Sequence, residues 1–445
     1  MNLAETLNLG CLCRTLSQDL LREQLETDAS LQGMLEGLAA TRPHLFSNTA
    51  VFLDASVQAR VEQAIAAIEA VIALPAYQQT ALAAAPDIAR HDFGPAGVFM
   101  AYDFHLSDAG PKLIEINTNA GGALLNSALA RAHQACCTPM LDGLDTNLAR
   151  LDETFVAMFR AEWQAQRGAL PLRTVLIVDD APESQYLAPE FALARQLFLQ
   201  HGITAAVADA RELQWREGAL WHPVLPAGLP VDLVYNRLTD FSLSEPAHAA
   251  LRSAYVAGAS VVTPHPRAHA LYADKRNLVT LGDNTLLESW AVTAADRALL
   301  QAVVPQTEVV TAERADDLWT RRRQLFFKPV AGYGAKAAYR GDKVTRGVWS
   351  QVIAGGFVAQ ALVPPSERLV SVDGVVKHLK LDLRAYTYRG QVQLMAARTY
   401  IGQTTNFRTE GGGFSPVVVL PALGDFPELA LVSRSGPVCT GDICS

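Results

Sequence analysis

The sequence predicts a mixed α/β protein of more than one domain, with a doubly wound α/β unit inserted near the middle of the chain. Three observations carry that reading. Between Thr174 and Thr263, short apolar runs alternate with helical stretches, as in a parallel sheet covered on both faces. Residues 305–420 are rich in strand patterns and glycine turns. Residues 97–122 hold two apolar runs around a short polar turn, the second carrying Glu115 and Asn117. The 445 residues suffice for two or three domains of the usual ~100–200 residues each.

Taken in order, residues 14–40 and 56–90 read as helices, because Val61, Ala64, Ile65, Ile68 and Val71 recur at three- and four-residue spacing. The hairpin of 97–122 follows, then a helical stretch from about Asn126 to Glu162. Two strands are too few to close a sheet here. Thr174-Val-Leu-Ile-Val178 runs into Asp179-Asp180, a helix extends from Leu187 to His201, and Gly202 stops it. Strands are expected at Ile203 to Val207, Val231 to Tyr235 and Ser260 to Thr263, with a helix around 246–257. Ligands of such sheets lie beyond the carboxyl ends of the strands. Asp179, Asn236, Arg237 and the turn Thr263-Pro-His-Pro266 occupy such ends. Asn236 and Arg237 either meet a ligand there or cap their loop, and both readings are open. In the last third, Gln324 to Val330 and Phe357 to Val363 read as strands around the turn Gly332-Tyr-Gly334. Leu379 to Tyr388 and Gln391 to Arg398 read as a hairpin turning at Arg389-Gly390. The expected division is 1–170, 171–268, 269–424 and a tail at 425–445.

Half of the residues are hydrophobic and 18% are charged, a balance that buries large cores. A formal net charge of −8 argues against a general nucleic-acid binder. No apolar run reaches the ~18–20 residues of a membrane span. The first residues carry neither a basic nor a hydrophobic leader segment, so a cytoplasmic location is expected. Six cysteines fall in three close pairs. Cys11 with Cys13 and Cys136 with Cys137 fit no common zinc spacing. Cys439 and Cys444 form either a redox pair or part of an unordered end.

The chemistry-bearing residues recur on strands. Glu115 and Asn117 point to one side of their strand, since side chains alternate. Asp103 on the preceding strand faces them if the two pair as a hairpin. Two carboxylates and an amide oxygen make a site for a hard cation such as Mg2+, which completes its shell with waters and substrate phosphates. A solvated hairpin face is the plain alternative. Lys328 ends a strand just before a glycine turn, where backbone N–H groups and an ammonium can cradle phosphate; a surface lysine beside a hairpin turn is the alternative. The strand edge at Gln360, Leu362 and Val363, with Glu367 beyond it, has the form of a base-binding hinge with a ribose carboxylate. Asp382 and Arg384 share one strand face, and Arg398 ends the paired strand ahead of Asn406 and Gly411-Gly-Gly413. Buried arginines are expected where anions dock or where acids pair with them.

Together these pieces resemble the ATP-grasp superfamily, whose usual order is a lysine, a "KPxxGxxG" strand and turn, a hinge strand, a "DxR" strand, an "R…N…GG" segment and a final "D…ExN". Here Asp103…Glu115-Ile-Asn117 comes first. Lys275-Arg276, Lys328-Pro-Val-Ala-Gly-Tyr-Gly334, Gln360 to Val363, Asp382-Leu-Arg384 and Arg398…Asn406…Gly411-Gly-Gly413 then follow in order. That is a circular permutation, and it is similar to the eukaryotic-type glutathione synthetases, which carry "EINT" followed by glycines. Glu115-Ile-Asn-Thr118 with Gly121-Gly122, Val234-Tyr-Asn-Arg237 and Lys275 match that pattern. The resemblance covers roughly residues 95–420. The turn Gly332-Tyr-Gly334 is shorter than the synthetases' lid, and Thr404 to Arg408 with Gly411 to Phe414 is closer to ribosomal-protein glutamate ligases.

The resemblance implies a circularly permuted ATP-grasp fold and an ATP-dependent carboxylate–amine ligase working through an acyl phosphate. ATP and Mg2+ are the implied cofactors. Asp103, Glu115 and Asn117 would hold the metal. Lys275, Lys328, Gly332, Gly334, Gln360, Leu362, Val363 and Glu367 would hold the nucleotide. Arg384, Arg398 and Asn406 would face the transferring phosphoryl group, and Asn119, Asn236 and Arg237 the organic substrate. No general base stands out. The expected partners are small carboxylates and amines, with no nucleic acid and no membrane, and a homodimer is one assembly the chain could form. A kinase-like phosphoryl transferase and a non-catalytic nucleotide-binding protein are the alternatives.

Overall fold

Asp54 ends a short strand and caps the helix that follows. Its side chain accepts from the Ser56 amide at 2.9 Å, which satisfies one of the open N–H groups of the first turn. The helix runs Ala55–Ile72 and buries Val61, Ala64, Ile65, Ile68 and Val71, the residues whose spacing predicted it. It stops where Pro75 opens a second helix, Pro75–Ala83, so the single helix expected over 56–90 is two helices and a turn at Asp87–Arg90. The computed structural model describes residues 3–10, 18–27, 35–136, 148–332, 337–372 and 374–420. Gly334, Cys11, Cys13, Cys137 and the tail with Cys439 and Cys444 lie outside the described residues.

The hairpin of the first third does not stand alone. Its strands, Met100–Ser107 and Gly110–Asn117, complete a large sheet whose other members come mostly from the last third. Across the sheet the order is Val51–Asp54, Gly413–Leu420, Gln391–Tyr400, Val375–Tyr388, Met100–Ser107 and Gly110–Asn117, with Ser366–Val372 also paired to Val375–Tyr388. Three of these strands are absent from the sequence reading, each for a physical reason. Val51–Asp54 is only four residues long. Gly413–Leu420 contains Pro416, a residue that argues against strand interiors. Ser366–Val372 carries Arg368, which is fully buried and donates to the carbonyls of Ala50, Leu7 and Asn8.

The central α/β unit matches its expectation closely. Four parallel strands lie in the order Thr204–Asp209, Thr174–Asp179, Leu233–Asn236, Val261–Thr263. Alternation splits the first strand between two cores. Val175 and Ile177 pack with Phe155, Phe159 and Phe198 on one face, and Leu176 and Val178 with Leu251 and Tyr255 on the other. The first of those clusters also contains Phe99, Leu125 and Tyr386, so one core runs across the boundary expected near residue 170. The helical stretch expected from 126 to 162 is two helices, Ala123–Cys136 and Leu151–Arg167.

A smaller antiparallel sheet holds Thr307–Val309, Phe357–Ala361, Leu325–Pro329 and Tyr339–Arg340 in that order. Its own core is built on Leu318, Phe327, Trp349, Val352 and Ala359. Among the described residues, no helix is long and apolar enough to cross a membrane.

Candidate functional site

The large sheet places its charged residues on four adjacent strands. Asp103 pairs in register with Glu115 on one side and with Arg384 on the other, and Asp382 pairs with Arg398. Asn117 Nδ2 lies 3.1 Å from Asp103 Oδ2 and 3.3 Å from Glu115 Oε1. The three residues read as a metal triad are thus brought together. Asp103, only 2% exposed, is also the anchor of two arginines. Arg384 donates to it through Nε and Nη2, both at 2.7 Å, and Arg398 Nη2 donates at 2.9 Å. Arg398 Nε donates to Asp382 at 2.7 Å, and Thr405 donates to the other oxygen of Asp382. Burial alone would raise the Asp103 carboxyl, but the Arg384 and Arg398 guanidiniums outweigh it and hold it at about 2.

A carboxylate has about four lone-pair sites, and Asp103 receives four donors. Glu115 and Asn117 are less committed. The Glu115 side chain is 29% exposed, and its nearest cation, Lys275, lies at 3.9 Å. The donor set therefore fits Mg2+ through the Glu115 carboxylate and the Asn117 amide oxygen. If Asn117 offers its oxygen to a cation, its Nδ2 leaves Asp103 and frees one lone pair there.

A bulge in the hairpin links this sheet to the small one. The register slips between Asp103 and Phe104 so that Ile114 has no partner of its own. The Ile114 carbonyl instead accepts from Lys328 Nζ at 2.7 Å, and Lys328 also donates to Gln360 Oε1 at 2.8 Å. Burial pushes the Lys328 ammonium down to about 8. Lys275 Nζ donates to the Gly332 carbonyl at 3.1 Å, and its backbone N–H to Val330 at 3.0 Å. Burial raises the Glu115 carboxyl, and the charges of Lys275 and Lys328 outweigh it, so it sits below the usual range. Three acids (Asp103, Glu115, Asp382) thus meet four cations (Arg384, Arg398, Lys275, Lys328), an excess of one positive charge.

The remaining nucleotide residues are placed less simply. Gln360 is buried and its Nε2 has no partner. The Leu362 amide is already bonded to the Gln324 carbonyl at 2.8 Å, and the Val363 carbonyl lies 2.7 Å from His105 Nδ1. Glu367 is exposed and pairs with His378 at 3.2 Å. Asn406 braces its own loop: its Nδ2 donates to Ile401 and Thr404, and its Oδ1 accepts from Arg408 and Thr409. His105 was passed over in the sequence, although it lies two residues beyond Asp103 on the same strand face, where alternation could have found it. Thr405 carried no local signal.

Asn236 and Arg237 close the α/β unit at its topological switch point. The chain runs from Thr174–Asp179 to one neighbour, Thr204–Asp209, and then returns to Leu233–Asn236 on the other side. Ligands of open α/β sheets bind at such reversals. Asn236 is engaged with Pro264 and Leu238. Arg237 is buried, its Nη1 donates to Tyr235 at 3.3 Å, and its Nε has no partner. A side chain at Gly121 would meet Arg237 Nη2 at 2.9 Å, so the glycine lets the guanidinium reach the loop after the hairpin. Burial lifts the Asp179 carboxyl beside it to about 6.

Elsewhere along the same sheet edge, Asp180, Glu245 and His248 lie close enough to hold a cation, the one such group of His, Cys, Asp and Glu among the described residues. His248 already bridges Asp180 at 3.0 Å and Asp240 at 2.9 Å, so an ion-pair link accounts for the arrangement.

No protein-family profile and no curated protein matches the chain. Solved structures do. A glutathione synthetase-like effector from Globodera pallida is 12% identical, with a TM-score of 0.54, and the match covers 91% of this chain and 98% of that one. A candidate gamma-glutamylcysteine synthetase from Methylobacillus flagellatus is 10% identical, with a TM-score of 0.44 over 80% and 84% of the two chains. A D-alanyl-alanine synthetase from Vibrio cholerae is 10% identical, with a TM-score of 0.29 over 53% and 89%. The first of these, which spans nearly the whole of both chains, shows that the chain shares the fold of that protein, a mixed α/β fold of the ATP-grasp type.

Proposed function

We propose that the chain is an ATP-dependent carboxylate–amine ligase working through an acyl phosphate. The observation that carries the reading is the opposition of two groups. Lys275 and Lys328, joined to the small sheet and its loop, face an Asp103–Arg384–Arg398–Asp382 network on the large sheet, with Glu115 and Asn117 between them. The excess positive charge suits a polyphosphate. Mg2+ on Glu115 and Asn117, with Asp103 behind them, would supply charge neutralisation for the phosphates.

In this reading Lys275 and Lys328 hold the nucleotide phosphates, and the unpartnered Gln360 Nε2 faces the nucleotide. A substrate carboxylate oxygen attacks the γ-phosphorus and ADP leaves. The amine then attacks the acyl carbon, and the C–O bond to phosphate breaks. Phosphoryl transfer needs positioning and charge stabilisation more than covalent help. Arg384 and Arg398 provide fixed donors, held in place by their acids before substrate arrives. Asn119, Asn236 and Arg237 line the place of the amine substrate at the reversal of the parallel sheet, with Arg237 on its carboxylate. Asn406 acts by fixing the loop that brings Thr405 to Asp382. The order of the motifs, with the metal-bearing hairpin first, is the circular permutation of the same reading.

The test is product analysis. Amino acids, amines and thiols are screened with carboxylates for acceptor-dependent ADP release, with hydroxylamine as a trap for acyl phosphate. Equal yields of ADP, phosphate and amide, or of hydroxamate in the trap, support the ligase. A stable phosphorylated product with no need for a second organic substrate would make the chain a kinase-like transferase instead.

A further inference from the structure

Three buried side-chain atoms, Asn119 Oδ1, His269 Nε2 and Arg237 Nε, have no hydrogen-bond partner, and their residues belong to segments tied to one another. Contacts between distant segments link them. Asn119 Nδ2 donates to the Leu238 carbonyl at 2.9 Å. Phe241, on the same loop as Leu238, stacks on His269 with centroids 3.8 Å apart and planes 8° from parallel. His269 Nδ1 lies 3.3 Å from Thr118 Oγ1, the neighbour of Asn119.

Buried polar atoms are normally satisfied, and each exception calls for a cause. The needs of these atoms differ. The Leu238 carbonyl fixes the Asn119 amide so that its oxygen lacks a donor. Arg237 Nε lacks an acceptor. An occupant must therefore donate near Asn119 and accept near Arg237, as a molecule with an amino group and a carboxylate does. The imidazole is uncharged, because burial and then the nearby Lys275 push it down to about 4. A neutral ring beside a lysine favours a free amine over an ammonium, and the free amine is the nucleophilic form.

Resting on the ligase reading, we propose that His269 is the positioning residue for the amine nucleophile. Its Nδ1–H donates to Thr118, and its Nε2 accepts one N–H of an amino acid. Asn119 Oδ1 takes a second N–H, and Arg237 takes the carboxylate. The nitrogen lone pair is left free for the acyl carbon. Phe241 holds the ring in plane.

The probes are the standard amino acids, their N-acetyl derivatives and a non-hydrolysable ATP analogue, read by thermal shift and calorimetry. In the wild-type protein, at least one amino acid should stabilise the analogue-bound state and its N-acetyl form should not. His269→Phe keeps the stacking ring and removes Nε2. It should weaken the amino acid about five- to tenfold, the worth of a neutral hydrogen bond, and erase the preference over the N-acetyl form while keeping analogue affinity. His269→Gln, which can still accept, should recover part of that preference and guards against a folding defect in the first variant. An undiminished preference in His269→Phe, or no response to any amino acid, overturns the proposal. The amino-acid response is also read without the analogue, so failure of the analogue to bind the wild type would instead remove the ligase reading and leave the amino-acid result to stand by itself.

Discussion

Lys328 is the residue whose role separates most cleanly from stability. Its ammonium donates to the Ile114 carbonyl and the Gln360 amide oxygen, both neutral, and lies 5.7 Å from the centre of the Phe326 ring, in a cleft otherwise crowded with charge. A charged lysine held by neutral acceptors is available to a phosphate. Lys328→Met is expected to weaken a non-hydrolysable ATP analogue about ten- to a hundredfold, the worth of a hydrogen bond to a charged group, with little change in unfolding midpoint. Unchanged affinity by calorimetry would make it a packing lysine. In the proposed reading, Arg237 belongs to the other substrate. Arg237→Ala should raise the KM of the amine substrate, at a cost of ~2–5 kcal/mol for a buried charge contact, and leave the KM for ATP alone. An effect confined to ATP would put Arg237 in the nucleotide half. Glu115 and Asn117 were legible because strand alternation alone places them together. His269 was not, since its partner Thr118 is distant in sequence and no local pattern joins them.

At the level of elements, the sequence conveyed most of the long apolar strands of the large sheet and missed three: the four-residue Val51–Asp54, Gly413–Leu420 with Pro416 inside it, and Ser366–Val372 with its buried Arg368. The bulge at Ile114 was also out of reach, although it aims a carbonyl at Lys328. Gly122 marks another element-level constraint. Its φ is +103°, and an added Cβ would lie 2.3 Å from Phe414 and 2.9 Å from the Tyr386 hydroxyl. Gly122→Ala should destabilise the fold by at least ~2 kcal/mol, from left-handed strain and overpacking together. A urea midpoint equal to the wild type would contradict this. The loops of the parallel sheet are tied by His248, fully buried between Asp180 and Asp240. Burial alone would lower its pKa, but the two carboxylates outweigh it and raise it above 6.5. A raised folded-state pKa gives stability that is complete below about 6.5 and lost as pH climbs through the folded value. The unfolding free-energy gap between wild type and His248→Gln should therefore shrink at alkaline pH. A gap constant between about pH 5 and pH 9 would contradict the link.

For the whole molecule, the large sheet is completed from both thirds of the chain: Val51–Asp54 and the 100–117 hairpin flank the strands of 366–420. That arrangement explains why the first third showed too few strands to close a sheet, and why the site's residues lie so far apart in sequence. A second long-range contact reaches across from the α/β unit. Tyr186 stacks on Phe407, in the loop that carries Thr405, with centroids 5.4 Å apart. The order of motifs and the class of fold were legible, because each motif is local. The Asp103–Arg384–Arg398 network was only half legible: the sequence supplied its members, while the strand register made Asp103 an anchor for arginines as well as a neighbour of Glu115 and Asn117. In the proposed reading, Glu115 serves ATP chemistry in this cleft and is not a core residue. The most direct measurement is ADP release by wild type and Glu115→Ala at saturating Mg2+, with the substrate pair found by screening and with unfolding midpoints in parallel. Glu115→Ala is expected to keep its midpoint and lose turnover about a hundredfold or more, consistent with several kcal/mol of lost charge stabilisation. Near wild-type ADP release by the folded variant would contradict it.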